Sequence, residues 1–423
     1  MERIRTLAGV SVFWAGLGVV GTAFAVVVVP QRLAGLTDPA HTATLIGLVS
    51  FIALSMGTAV QPIAGAVSDA FHTRWGRSGL MLIGAVAAIP ALAVFAFVPS
   101  VVGVLVAFVL LQVAVNIAQA AQQGLIPDLV ERDWRGRAAG LKGFAELGGA
   151  ILGLSMLGAL LARGDPTPAV IAAGLLLIVS GVLAIGLLRE RRLGDFTIPI
   201  RSLRSAFDID RTRHATFIRV VTIRFVFLCG AFAIARSMLL LIAERLHLDP
   251  STAGGQTAAI FAVLTIAAAL AALPGGWAAD RFGRPRTMLA GAALASVGAV
   301  LLIQADSVPE IVLFGGVLSA GTAAFAASNW AMTTDLVPVS AAARYMGLAN
   351  IATGGAAAAA GLLGPPTDVV RSVLPGAGYA PVLLGATLLF AASAALMKPL
   401  LRHGVVLPEP LRSPMPVKEV SGT

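Results

Sequence analysis

Polar and apolar positions along the chain alternate on a scale far longer than one helical turn. Apolar segments of about 18–27 residues follow one another, separated by short polar breaks. They fall at 8–30, 42–67, 79–98, 101–126, 138–162, 167–188, 217–244, 252–276, 287–305, 309–334, 345–364 and 379–400. Each is long enough to cross a bilayer as a helix. Lipid offers no partner for backbone polar groups, so each span must satisfy its own, which selects helices over open strands. The pattern predicts an all-α membrane protein of twelve transmembrane helices in two six-helix halves. The halves are residues 1–188 and 217–400. The polar stretch 189–216 joins them as a linker, and the Pro-rich tail 401–423 is expected to be disordered.

The polar breaks carry a repeat. Gly276–Arg286 reads GWAADRFGRPR, and Gly65–Arg77 reads GAVSDAFHTRWGR. Gly65 and Asp69 share the spacing of Gly276 and Asp280. Arg74-Trp75-Gly76-Arg77 matches Arg281-Phe282-Gly283-Arg284. Beyond a four-residue insertion in the first copy, Arg77 and Arg284 lie 207 positions apart. The same offset relates Asp128 to Asp335, Arg137 to Arg344 and Gly140 to Gly347. A constant offset across separate landmarks marks an internal duplication.

Composition agrees with the spans: 57% of residues are hydrophobic, 12% are charged, and the mean hydropathy is +0.89. A soluble chain could not cover its surface with so little charge. The net charge of +9 would suggest a nucleic-acid partner in a soluble protein. Here the basic residues crowd one set of loops. With both termini and the even-to-odd loops on one side, 24 Lys and Arg lie there and 4 lie opposite. That asymmetry predicts cytoplasmic termini in a plasma membrane, with the bilayer as partner and no nucleic acid. The single Cys229 permits no intrachain disulfide, and no His sits centrally in a span. The amino-terminal run is read as a span, because it is long enough to cross and lacks a convincing cleavage site. No phosphate-binding GxxxxGK[ST] loop is present. No cofactor or metal is expected, and no Ser/His/acid or paired-carboxylate arrangement suggests an enzyme.

The loop signature at Gly276–Arg286 resembles that of the major facilitator superfamily, which sits between helices 2 and 3 and recurs between helices 8 and 9. The resemblance covers nearly the whole chain. QPIAGAVSD…RWGR at Gln61–Arg77 is similar to the glycoside–pentoside–hexuronide and sucrose carrier branch. The family implies contacts from Asp69 to helix 11 and from Asp280 to helix 5. A carboxylate is unfavourable at its own helix C-terminus, so each acid needs a cation or another helix's N-terminus. The group Gly65, Asp69, Arg74, Gly76, Arg77, Gly276, Asp280, Arg281, Gly283 and Arg284 then reads as a gate latch, or else as a topology marker and helix cap. Asp128 with Arg137, and Asp335 with Arg344, read as a cytoplasmic charge network joined to the same arginines, or as simple surface pairs.

Inside the spans, Gln112, Asn116, Gln119 and Gln123 recur at steps of 4, 3 and 4 on one helical face. Such a face is costly toward lipid and must meet a cavity or another helix. The resemblance implies that helices 1, 4, 7 and 10 line the cavity. Amides suit hydroxyl-rich solutes. Arg236, Trp14, Asn329 and Trp330 join the cavity candidates. Gln112 and Gln123 stand where sucrose carriers have an Asp and an Arg, which is a departure from that branch. Glu146, four residues after Lys142, is either a coupling carboxylate or one half of an intrahelical pair. Arg224 either snorkels to the surface or finds a partner. The expected function is a secondary transporter (permease or symporter) for a small polar organic solute, a sugar or glycoside among the candidates. It would act as a monomer, with or without a co-transported cation. The alternatives are an efflux carrier for amphipathic compounds and a transporter-like receptor that binds without translocating.

Overall fold

The computed structural model describes residues 2–70, 76–130, 135–163, 165–188, 215–250, 252–336, 342–374 and 377–403. Among them the chain forms twelve helical rods. The first, α1 (2–34), is α-helical at Glu2–Gly18, π-type at Val19–Val28 and α-helical again at Val29–Ala34. Then come α2 (Thr42–Ala70), α3 (Gly76–Phe97), α4 (Val101–Leu129), α5 (Arg135–Leu161) and α6 (Thr167–Leu187). The second set is α7 (Ala215–Arg245), α8 (Gly254–Phe282), α9 (Arg284–Leu302), α10 (Val308–Asp335), α11 (342–373) and α12 (Ala380–Leu396). Eleven helices among the described residues are long and apolar enough to cross a membrane. The remaining rod, α11, is rich in Ala and Gly and tightens to a 3-10 turn at Ala360–Leu363 before Pro365 and Pro366. It runs to Val373, well past the predicted end of its span.

Small residues set the packing. Gly149 and Gly153 of α5 lie against the backbone of Ala15 and Val19 of α1. Side chains there would hold the two backbones apart, and dispersion at close range is what joins helices in lipid. Larger groups fill the space behind. The Phe227 ring of α7 stacks on Phe325 of α10 at 3.7 Å and tilts against Phe390 of α12 at 4.7 Å. One continuous apolar core runs through both sets of six.

The two sets of six meet along α2–α11 and α5–α8. Twelve antiparallel rods leave both ends of the chain at one end of the bundle, here called the terminal end. At the opposite, far end, Gly47 of α2 abuts the backbone of Gly361, and Gly364 abuts Ala43. Gly255 of α8 abuts Gly158 and Ala162 at the tip of α5. Halfway along, Gly354 of α11 still touches Thr58 of α2. Toward the terminal end α5 and α8 part. A side chain added at Gly143, Gly148 or Gly276 would meet nothing within 4 Å. Phe144 is 76% exposed and Leu273 80%. Both seams are therefore closed at the far end, and the α5–α8 seam opens toward the other.

Candidate functional site

The loop signature in the second set of six is a compact charge cluster. Gly283, with φ of 90°, ends α8 in a conformation that suits glycine. The chain turns there into α9, and Arg284 at its first position reaches across to α10. Its guanidinium donates to the Ala331 carbonyl and pairs with the Asp335 carboxylate. In the first set, Arg77 lies against Gly124 of α4 and donates to Ser68 at 3.2 Å. Gly124 and Ala331 are 207 positions apart, so the two arginines hold equivalent seats. Gly76 opens α3 as Arg284 opens α9. Arg281 lies over the rings of Trp277 and Phe282. Asp280 is exposed and, among the described residues, has no hydrogen bond or ion pair. Gly276 has no neighbour within 4 Å, as expected where α5 and α8 have separated. Arg74 lies outside the described residues, as do the surroundings of Gly65 and the side chains of Asp69, Asp128, Arg137 and Arg344.

Deeper in, each set of six carries a cation on a Trp face. Lys142 of α5 sits 3.7 Å from the Trp14 ring of α1 and 3.8 Å from the Glu146 carboxylate. Trp14 is only 1% exposed, whereas the Glu146 side chain is 48% exposed. In the other set, the Arg224 guanidinium of α7 lies 4.7 Å from the Trp330 ring of α10 and donates to Thr353 of α11 at 2.9 Å. Arg224 therefore finds partners inside its span and does not reach for the surface. Position 224 stands 210 residues after 14, and 353 stands 207 after 146. Only the second of these pairs keeps the repeat's offset of 207, and the two clusters differ in chemistry. A cation held on an aromatic face away from water is worth roughly 2 kcal/mol. Trp330 keeps 40% of its surface exposed, whereas Trp14 is sealed.

The amide face of α4 divides along its length. Asn116 donates to the Gln112 carbonyl at 2.8 Å, and both lie against Gly57 of α2. Gln119 and Gln123, nearer the terminal end, are half-buried. Asn329 is 1% exposed and donates to the Val220 carbonyl of α7 at 3.3 Å. Gln122, which the sequence reading passed over, does the same to Val10 of α1 at 2.7 Å. Both pairs obey the repeat, and extending the 207 offset to buried amides would have found Gln122. Arg236 is 7% exposed and lies apart from these groups, toward the far end of α7.

A further cluster at the far end had no sequence signal. Asp368, buried on α11, accepts from the backbone N–H of Thr44 at the start of α2, 2.7 Å away. Arg371 pairs with Asp368 at 3.5 Å and donates to the Tyr379 hydroxyl at 3.0 Å. Burial pushes the Tyr379 phenol up from its ordinary value, so it stays neutral. A carboxylate at a helix N-terminus is favoured by the free N–H groups and the helix dipole. The partners are 324 residues apart and join the first six helices to the last.

A family model described as Major Facilitator Superfamily matches residues 6–207 and 220–415. No curated protein matches the chain. Among solved structures, a bacterial homologue of the human lysosomal transporter Spinster, inward-facing and occupied, superposes with a TM-score of 0.75. Its identity is 14%, over 95% of this chain and 97% of that one. An auto-inhibited POT family peptide transporter gives 0.73 at 14% identity, over 98% of each chain. The nucleoside transporter NupG gives 0.67 at 13%, over 95% of this chain and 98% of its own. At such identities the likeness is one of fold.

Proposed function

Because the chain belongs to the Major Facilitator Superfamily, we propose that it is a secondary transporter that carries a small polar organic solute by alternating access. The observation that carries this reading is the asymmetry of the α5–α8 seam: both inter-set seams are closed at the far end, and α5 and α8 part toward the other. A rigid scaffold has no need of an inter-set seam that closes at one end only. Rocking about a central site would exchange the closed end for the open one. With 24 Lys and Arg counted to the terminal side and 4 to the other, that side is cytoplasmic and the conformation faces inward.

The solute site lies between the Trp330–Arg224–Thr353 cluster and the Lys142–Glu146 pair, near Gln119 and Gln123. Trp330 supplies an aromatic platform, and the amides and Thr353 supply donors and acceptors. These groups suit a hydroxyl-bearing ring such as a sugar or glycoside. Glu146 carries a proton if transport is proton-coupled; otherwise the protein is a uniporter or exchanger. Asp69 and Asp280 form the cytoplasmic latch in the opposite state, and the unpaired, exposed Asp280 fits a latch that is undone.

Purified protein in liposomes, offered labelled sugars, nucleosides and organic acids with and without a pH gradient, tests the reading. Saturable uptake of one class, reduced at least tenfold by Trp330→Ala, is expected. Binding of a solute with no uptake or counterflow would instead establish a receptor.

A further inference from the structure

Arg236 of α7 is buried, yet among the described residues its guanidinium has no hydrogen bond and no ion pair. An arginine cannot shed its proton to escape burial, and it carries five N–H donors. A cation left unpaired inside a membrane protein is strongly unfavourable. The described residues offer it no acceptor.

The space beside Arg236 is small and has walls from both sets of six. Gly47 and Ile46 of α2 form one side, Ser237 of α7 lies beside the arginine, and Gly361 and Gly364 of α11 close the other side. The gap takes a water-sized particle and is partly open at its rim. Among the described residues no acid lines it. One turn beyond Gly364, Asp368 is already engaged by Thr44 and Arg371. A monatomic anion is only a little larger than a water molecule and carries the charge that a water lacks.

We infer that Arg236, with the Ser237 hydroxyl beside it, forms a binding site for a monatomic anion, chloride in a cell, in the far-end seam between α2, α7 and α11. The anion neutralises the guanidinium and supplies the acceptor that the described residues do not. The site depends on the seam: when α2 leaves α11, one of its walls is lost. Chloride therefore favours the far-end-closed state. The inference is independent of which solute is carried.

The test is thermal unfolding of the detergent-solubilised full chain at constant ionic strength in chloride, bromide, gluconate or acetate. Chloride and bromide should raise the wild-type midpoint by about 2–4 °C over gluconate. Arg236→Met, which replaces the cation with an apolar side chain of similar length, should lose that shift and should fold in gluconate as well as wild type. Should Arg236→Met not fold, Arg236→Lys stands in, with the halide shift reduced by at least half. Crystals grown in bromide should give an anomalous peak within about 3.5 Å of the guanidinium. Equal midpoints in chloride and gluconate for wild type would overturn the site. So would an undiminished shift in the variant that folds. Stabilisation by acetate but not by halide would overturn it too, by pointing to a carboxylate ligand.

Discussion

Gln122 and Asn329 are buried amides, 207 positions apart, that each tie the fourth helix of their set to the first through one backbone carbonyl. Hydrogen bonds between membrane helices contribute about 0.6 kcal/mol on average and seldom more than 1.7. Gln122→Leu and Asn329→Leu are each expected to lower the unfolding midpoint slightly. The double variant should lower it by the sum, because the sites share no partner. Strong coupling between the two in a double-mutant cycle would contradict the assignment. The same scale holds the coupling question. Glu146 lies beside Lys142 and half open to solvent, where a change of facing would alter its surroundings. Glu146→Gln should abolish uphill, pH-driven uptake and leave counterflow intact. Wild-type accumulation in that variant would remove Glu146 from the mechanism. At this scale the sequence was a partial guide. The Arg284–Asp335 pair follows from the repeated loop pattern. The burial of Trp14 beneath Lys142 does not, because an aromatic residue on a cavity helix reads the same whether it faces solute or a neighbouring side chain.

At the scale of the helix, Gly47 and Gly361 let α2 and α11 touch backbone to backbone at the far end. A β-branched side chain at either place has nowhere to go while the seam is shut. Gly361→Val is expected to wedge the seam and shift the protein toward a state open at the far end. In that state an impermeant thiol reagent should reach Ser50→Cys, buried on α2 near this seam, in a Cys229→Ser background. Unchanged protection of position 50, with the variant folded, would argue against a closed far-end gate. Asp368→Asn should act in the same direction more weakly, since an amide still accepts from Thr44 without the charge. The helices were legible in the sequence, because each must bury about 20 apolar residues in lipid. Their contacts were less so. Nothing local to Asp368 indicates that it caps a helix 324 residues away, and the extension of α11 to Val373 lies past the apolar run that marked the span.

At the scale of the whole molecule, the charge asymmetry and the open α5–α8 seam support the proposed inward-facing orientation. Labelling of whole cells should modify Asp306→Cys, in the loop before α10, and spare Ser202→Cys, in the linker; the reverse would invert the topology. Transport by alternating access depends on one movement, the exchange of which end is closed. It is read most directly by spin-label distances in one protein at two levels. Asp165 with Thr252 reports the far end, and Phe144 with Leu273 reports the terminal end; all four are exposed. Without solute, the far-end pair should be short and narrowly distributed and the terminal pair long. Under turnover, or in Gly361→Val, a second population should appear in which the far-end pair lengthens and the terminal pair shortens. A single distribution at both levels, unchanged by solute, by pH gradient and by the wedge, would contradict alternating access.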